Sequence, residues 1–89
     1  MRYGKVTITT SPTLILSAAD NRHSVVLFNS STLSASIGHD NQITTDTALP
    51  LTKSTYLAED SGGAAIYKGD YYGVASAGTA DIYYWERTR

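Results

Sequence analysis

Two histidines, eight carboxylates and many hydroxyls are the residues here that could do chemistry, and their spacing limits what they can do. His23 stands directly before Ser24, which invites a hydrolase reading in which an imidazole activates a hydroxyl nucleophile. Neighbours on a strand point to opposite faces, so His23 cannot readily reach that hydroxyl, and a turn or strand-edge histidine is the expectation. His39 and Asp40 are also adjacent. Without cysteine or a local histidine spacing they make no metal site, and a solvated loop pair is expected. Asp40, Asp46, Glu59 and Asp60 could offer oxygens to calcium, yet none lies in an alternating acidic loop with a glycine turn. Gly62 and Gly63 lack the Lys and Ser/Thr of a Walker motif and the glycine spacing of a dinucleotide fold, so turn formation explains them. Asn29, Ser30 and Ser31 spell a glycosylation acceptor, read as coincidence in a chain without a secretory signal. The inventory of nucleophile, base and metal ligands comes up short, and the expectation is no enzyme, no cofactor and no metal.

The elements around these residues are short β phrases. Lys5 to Thr9 alternates Val6 and Ile8 with threonines, the period of a half-buried strand, and Pro12 ends it. Thr13 to Ser17 is a second strand. Ser24 to Asn29 is a third, whose four-residue apolar core between polar turn residues predicts cover on both faces. Ser34 to Gly38 alternates again and is expected to form a hairpin with the third strand. Asp40 to Thr47 reads as a polar loop, Ala48 to Leu51 as extended, Thr55 to Ala58 as a strand, and Glu59 to Gly63 as a turn. Gly69 and Asp70 between Ala64 to Lys68 and Tyr71 to Ser76 predict a second hairpin. After a tight turn at Ala77 and Gly78, Thr79 to Glu86 is the longest strand. No apolar stripe at helical spacing occurs. The fold class is therefore all-β, a small antiparallel sandwich or barrel of about eight short strands in one domain spanning residues 1–89.

An 89-residue domain has little core, and with no cysteine a disulfide cannot staple it, which leaves metals or partner subunits, with partners the expectation. Charged residues are 17% of the chain, below the roughly 25% typical of soluble domains, and Ser and Thr fill the gap. A net charge of −1 supplies no cationic field, so no nucleic acid partner is expected. No apolar run approaches the roughly 20 residues that span a bilayer, and the first residues lack a signal-peptide core, so no membrane is expected and synthesis is placed in the cytoplasm.

The aromatic residues carry more information. Seven Tyr, one Trp and one Phe are present, with Tyr71, Tyr72, Tyr83, Tyr84 and Trp85 concentrated toward the C-terminal end. Alternation puts Ala80, Ile82 and Tyr84 on one face of the last strand and Asp81, Tyr83 and Trp85 on the other. If the first face is core, Tyr83 and Trp85 are either covered by a partner, covered internally, or packed across strands on a wet face. The candidate partner-binding residues are Tyr3, Tyr71, Tyr72, Tyr83, Trp85 and Arg87. Met1 to Lys5 and Arg87 to Arg89 are edge segments that a partner could order.

The order of phrases, Val6 to Thr9, Pro12 and Leu14, Asn21 and Arg22, Ser24 to Asn29, Ile37 and Gly38, Ala65 to Tyr67, then Gly78 to Ile82, resembles small all-β virion proteins of tailed bacteriophages. The likeness is to capsid decoration, or cement, proteins and related head-fibre modules. It implies a structural protein on the virion surface, assembled in the bacterial host cytoplasm, that binds the major capsid protein and stabilises the shell by bridging its subunits. It also implies a homo-trimer or another homo-oligomer. A carbohydrate- or receptor-binding module of a phage head or tail fibre is the alternative, with Tyr71, Tyr72, Tyr83 or Trp85 stacking on sugar rings in a concave cluster.

Overall fold

In the computed structural model, which describes residues 2–45, 47–60 and 67–88, the chain forms eight strands and no helix among the described residues. They are β1 (Arg2–Ile8), β2 (Thr13–Leu16), β3 (Arg22–Asn29), β4 (Ala35–Gly38), β5 (Leu49–Leu51), β6 (Tyr56–Asp60), β7 (Tyr71–Ala75) and β8 (Ala80–Thr88). Two four-stranded antiparallel sheets result, ordered β1-β8-β3-β6 and β2-β7-β4-β5. Packed face to face, they make an open sandwich, the all-β class expected from the sequence. Asp46, the Ser61 to Gly63 part of the expected turn and the Ala64 to Ile66 part of an expected strand lie outside the described residues.

Every connection except β4 to β5 passes from one sheet to the other. The core lies where the inner faces meet, around Ile8, Ile15, Val25, Leu27, Ile37 and Ile82. The period-two pattern produces it directly: in β1, burial alternates residue by residue until Ile8 is fully enclosed. At Gly73 in β7 an added Cβ would lie 2.7 Å from the Ile15 Cδ1 and 3.1 Å from the Ile8 Cδ1, so a side chain there would have to displace these methyls where the two sheets approach. Gly78, at φ 56°, makes the turn that carries β7 into β8 in the other sheet.

Both expected hairpins are corrected. The edges of β3 are taken by β8 and β6, and β4 lies in the other sheet. Asn29 turns the chain across: its buried Nδ2 donates to the Leu33 and Leu51 carbonyls at 2.9 Å, and its Oδ1 accepts from the Ser31 amide. An Asn whose amide is consumed in this way is a corner piece of the fold. The second hairpin fails because β2 and β4 occupy both edges of β7. Residues 67–70 are instead held as a loop, with the Lys68 carbonyl accepting from the Ala19 amide and Asp70 Oδ1 from the Ala18 amide. Glu59 and Asp60 also differ from expectation, since they continue β6 rather than turning.

Candidate partner-binding face

A buried charge cluster sets the position of the two strands at the centre of the first sheet. At the start of β3 the register with β8 shifts by one residue between Arg22 and Ser24. Simple alternation back from Leu27 and Val25 would turn His23 inward; the bulge turns Arg22 inward instead. Its Nε donates to Glu86 Oε2 at 2.7 Å, and its other nitrogens donate to the Ser17, Tyr67 and Gly69 carbonyls. Arg2 donates from Nε to Glu86 Oε1 at 2.6 Å. The side chains of Arg22 and Glu86 are wholly out of water. Burial alone pushes the Glu86 carboxyl up, but the hydrogen bonds from Arg2 and Arg22 and their charges outweigh it and hold the group below its ordinary value. One carboxylate thereby ties β1, β3 and β8 together.

With that register fixed, the outer face of the β1-β8-β3-β6 sheet is arranged in rows across the strands. Tyr3, Trp85, Val26 and Ala58 make one row, and Lys5, Tyr83, Phe28 and Tyr56 the next. Arg87 and Ser24 lie beyond the first row, and Thr7 and Asp81 beyond the second, joined by a 2.7 Å hydrogen bond from Thr7 Oγ1 to Asp81 Oδ1. Five rings remain in water: Tyr3 is 75% exposed, Tyr56 69%, Trp85 51%, Tyr83 48% and Phe28 36%. Between them lies a shallow, almost wholly apolar depression of about 470 Å³ bordered by Tyr3, Lys5, Phe28, Tyr83 and Trp85.

Four of the six candidate residues, Tyr3, Tyr83, Trp85 and Arg87, thus come together on one surface. Tyr71 is a correction. It is 1% exposed, inward-facing in the core, and its hydroxyl donates to Glu59 Oε1 at 2.5 Å. Burial and that carboxylate raise its pKa well above the usual phenol range. Tyr72 is half-buried on the other sheet, opposite Leu14 and Gly38. Of the expected terminal segments, Met1 and Arg89 lie outside the described residues, while Arg2 to Lys5 pair with β8 and Arg87 and Thr88 pair with β3 without a partner chain.

Val26, Phe28, Tyr56 and Lys5 complete the face, and sequence reasoning passed over them. The available signal was the uninterrupted run Val25 to Phe28. Val25 and Leu27 are buried while Phe28 is exposed, so the run marks an apolar outer surface and not cover on both faces.

The reactive residues do not assemble comparably. His39 stacks on Tyr67 with ring centroids 3.6 Å apart and meets the edge of Tyr71, while Asp40 Oδ1 accepts from the Gln42 amide. His39 is therefore ring-packed as well as exposed, beside a cleft of about 370 Å³ that reaches Glu59 and the Tyr71 ring. Among the described residues no three His, Asp or Glu side chains converge as metal ligands. Ser24 lies on the aromatic sheet's outer face across from Arg87. Compared with family models, curated proteins and solved structures, the chain matches none.

Proposed function

We propose that this chain is a structural attachment protein of a tailed-bacteriophage virion: it binds the outer capsid surface and stabilises the shell by bridging major capsid subunits. The observation that carries the reading is the broad aromatic face on the β1-β8-β3-β6 sheet, with Tyr3, Tyr83 and Trp85 exposed beside Arg87. Tyr and Trp bury large area at low conformational cost and keep a polar tip, which suits protein contact. Five rings at roughly 200 Å² each, about half exposed, leave roughly 550 Å² of aromatic surface in water, the upper range for an apolar patch on a monomer. Repetition around a shell multiplies a weak contact by avidity.

The sugar-binding alternative draws less support. Of Tyr71, Tyr72, Tyr83 and Trp85, the first lies inside the core and the second on the other sheet, which leaves Tyr83 and Trp85 beside a depression that is shallow rather than a concave cluster. Co-sedimentation with phage shells that lack the chain tests the proposal. The wild-type chain should pellet with the shells, and Tyr83→Ala with Trp85→Ala should leave it in the supernatant while its circular dichroism is unchanged. Attachment that persists in the folded double variant would refute the face as the attachment surface; no attachment by the wild type to any shell would refute the virion role.

A further inference from the structure

We propose that, away from any shell, the aromatic face is closed by a second copy of this chain, packed sheet on sheet about a two-fold axis that crosses the strands at right angles near Tyr84. The inference rests on the reading above only in taking this face as the contact surface.

The argument is self-complementarity read from the register. Such an axis keeps β8 over β8 and β3 over β3 but reverses strand direction, so the Tyr83 row of one copy faces the Trp85 row of the other. Large then meets small: Phe28 faces Val26 of the second copy, and Tyr56 faces its Ala58. Tyr83 meets Trp85, and Lys5 comes over the ring of Tyr3, an arrangement favourable for a cation and an aromatic face. Beyond these rows the charges match. Asp81 and Arg87 sit six residues apart on β8, about 20 Å along the strand, and the reversal sets each against the opposite charge of the other copy.

An axis running along the strands would instead put Arg87 against Ser24 and leave Asp81 without a cation. Aligned sheets pack about 10 Å apart and about 30° from parallel, which keeps the central rows in register. The exposed rings supply roughly 550 Å², and Lys5, Thr7, Val26, Ala58, Asp81 and Arg87 carry the face toward the roughly 800 Å² per partner of a standard interface. Every partner in this arrangement is on the same chain, so one sequence specifies both sides.

Sedimentation velocity on the purified full chain, without shells, tests this. The wild type should be a dimer, and Trp85→Ala a monomer with unchanged circular dichroism. Asp81→Arg and Arg87→Asp should each weaken the dimer at least about tenfold, since either change brings like charges together at both ends of the interface, and the two combined should restore it. A wild type that stays monomeric up to about 1 mM overturns the proposal. So does a trimer, a dimer indifferent to Trp85→Ala, or a double charge reversal that fails to restore association. Shell binding by a chain that is monomeric alone would sink this inference and leave the proposed function standing; a dimer that binds no shell would do the reverse.

Discussion

Replacing Glu86 by Gln tests the physical account of how this face is held. The carboxylate accepts from Arg2 Nε at 2.6 Å, Arg22 Nε at 2.7 Å and Arg2 Nη2 at 3.0 Å. Gln keeps the volume, removes the charge and turns an amide donor toward guanidinium donors. Breaking a buried ion pair costs about 3–5 kcal/mol, because one charge is left without its counterion. Arg22 retains three backbone carbonyls, from Ser17, Tyr67 and Gly69, so the lower end, about 3 kcal/mol, is expected. A domain of 89 residues has roughly 4–13 kcal/mol in total, so a quarter or more of the stability goes. In Tm this is about 12–24 °C. Urea unfolding at pH 7, followed by circular dichroism and by the fluorescence of the single Trp, measures it. Arg2→Met is the internal comparison. Its side chain is 39% exposed, so water screens the pair and the loss should be about 1 kcal/mol. A Glu86→Gln loss no greater than that of Arg2→Met would refute the buried cluster as the tie between β3 and β8.

The same carboxylate gives a pH dependence. Its folded pKa lies below the ordinary 4.5, so its contribution is fully present above pH 4.5 and is lost as the pH falls through the folded value; urea midpoints from pH 7 to pH 3 should fall more steeply for the wild type than for Glu86→Gln. Asn29→Asp should cost about 3 kcal/mol or more, because a carboxylate would replace an amide nitrogen that donates to two carbonyls inside the protein, and thermal unfolding checks it. Gly73→Ala should cost about 1–3 kcal/mol through overpacking against Ile15 and Ile8, seen as a lower urea midpoint with an unchanged slope.

Strand identity was legible because alternation is a local property. Lys5 to Thr9 and Thr79 to Glu86 each carry enough period-two pattern to reveal a strand and to separate its faces, and Tyr83 and Trp85 do lie outside while Ala80 and Ile82 lie inside. Pairing was not legible in the same way. The preference of neighbouring strands for hairpins fails where a buried side chain redirects the chain, and Asn29, which reads as a turn residue, does so through bonds to Leu33 and Leu51. The inward turn of Arg22 rests on a one-residue bulge that no spacing announces. Tyr71 misled because its neighbour Tyr72 has the same composition and opposite surroundings; only the partner strands decide which of the two is core.

The outward apolar residues of β3 are what a freestanding sandwich does not need. Val25 and Leu27 serve the core, but Val26 and Phe28 occupy positions where Thr or Ser would hold a strand equally well and keep the surface wet. Their rows continue into Trp85 and Tyr83 on β8 and Tyr3 on β1, so three strands separated in sequence contribute to one continuous surface. Covering its roughly 550 Å² of exposed rings, together with the equal area on a second copy, would release about 28 kcal/mol in gross hydrophobic free energy at 25 cal/mol per Å². Association costs about 4–15 kcal/mol in lost freedom before side-chain ordering. The gross gain exceeds that cost and leaves a margin for side-chain ordering and desolvation, so in the proposed pairing the rings supply attraction and the remaining contacts decide which partner is held. Asp81 and Arg87 flank the rings at opposite ends of β8, where in the proposed pairing they would penalise a partner of the wrong charge pattern without entering the apolar centre. A face whose apolar rows supply attraction and whose two flanking charges supply selectivity is what the proposed pairing of two copies requires.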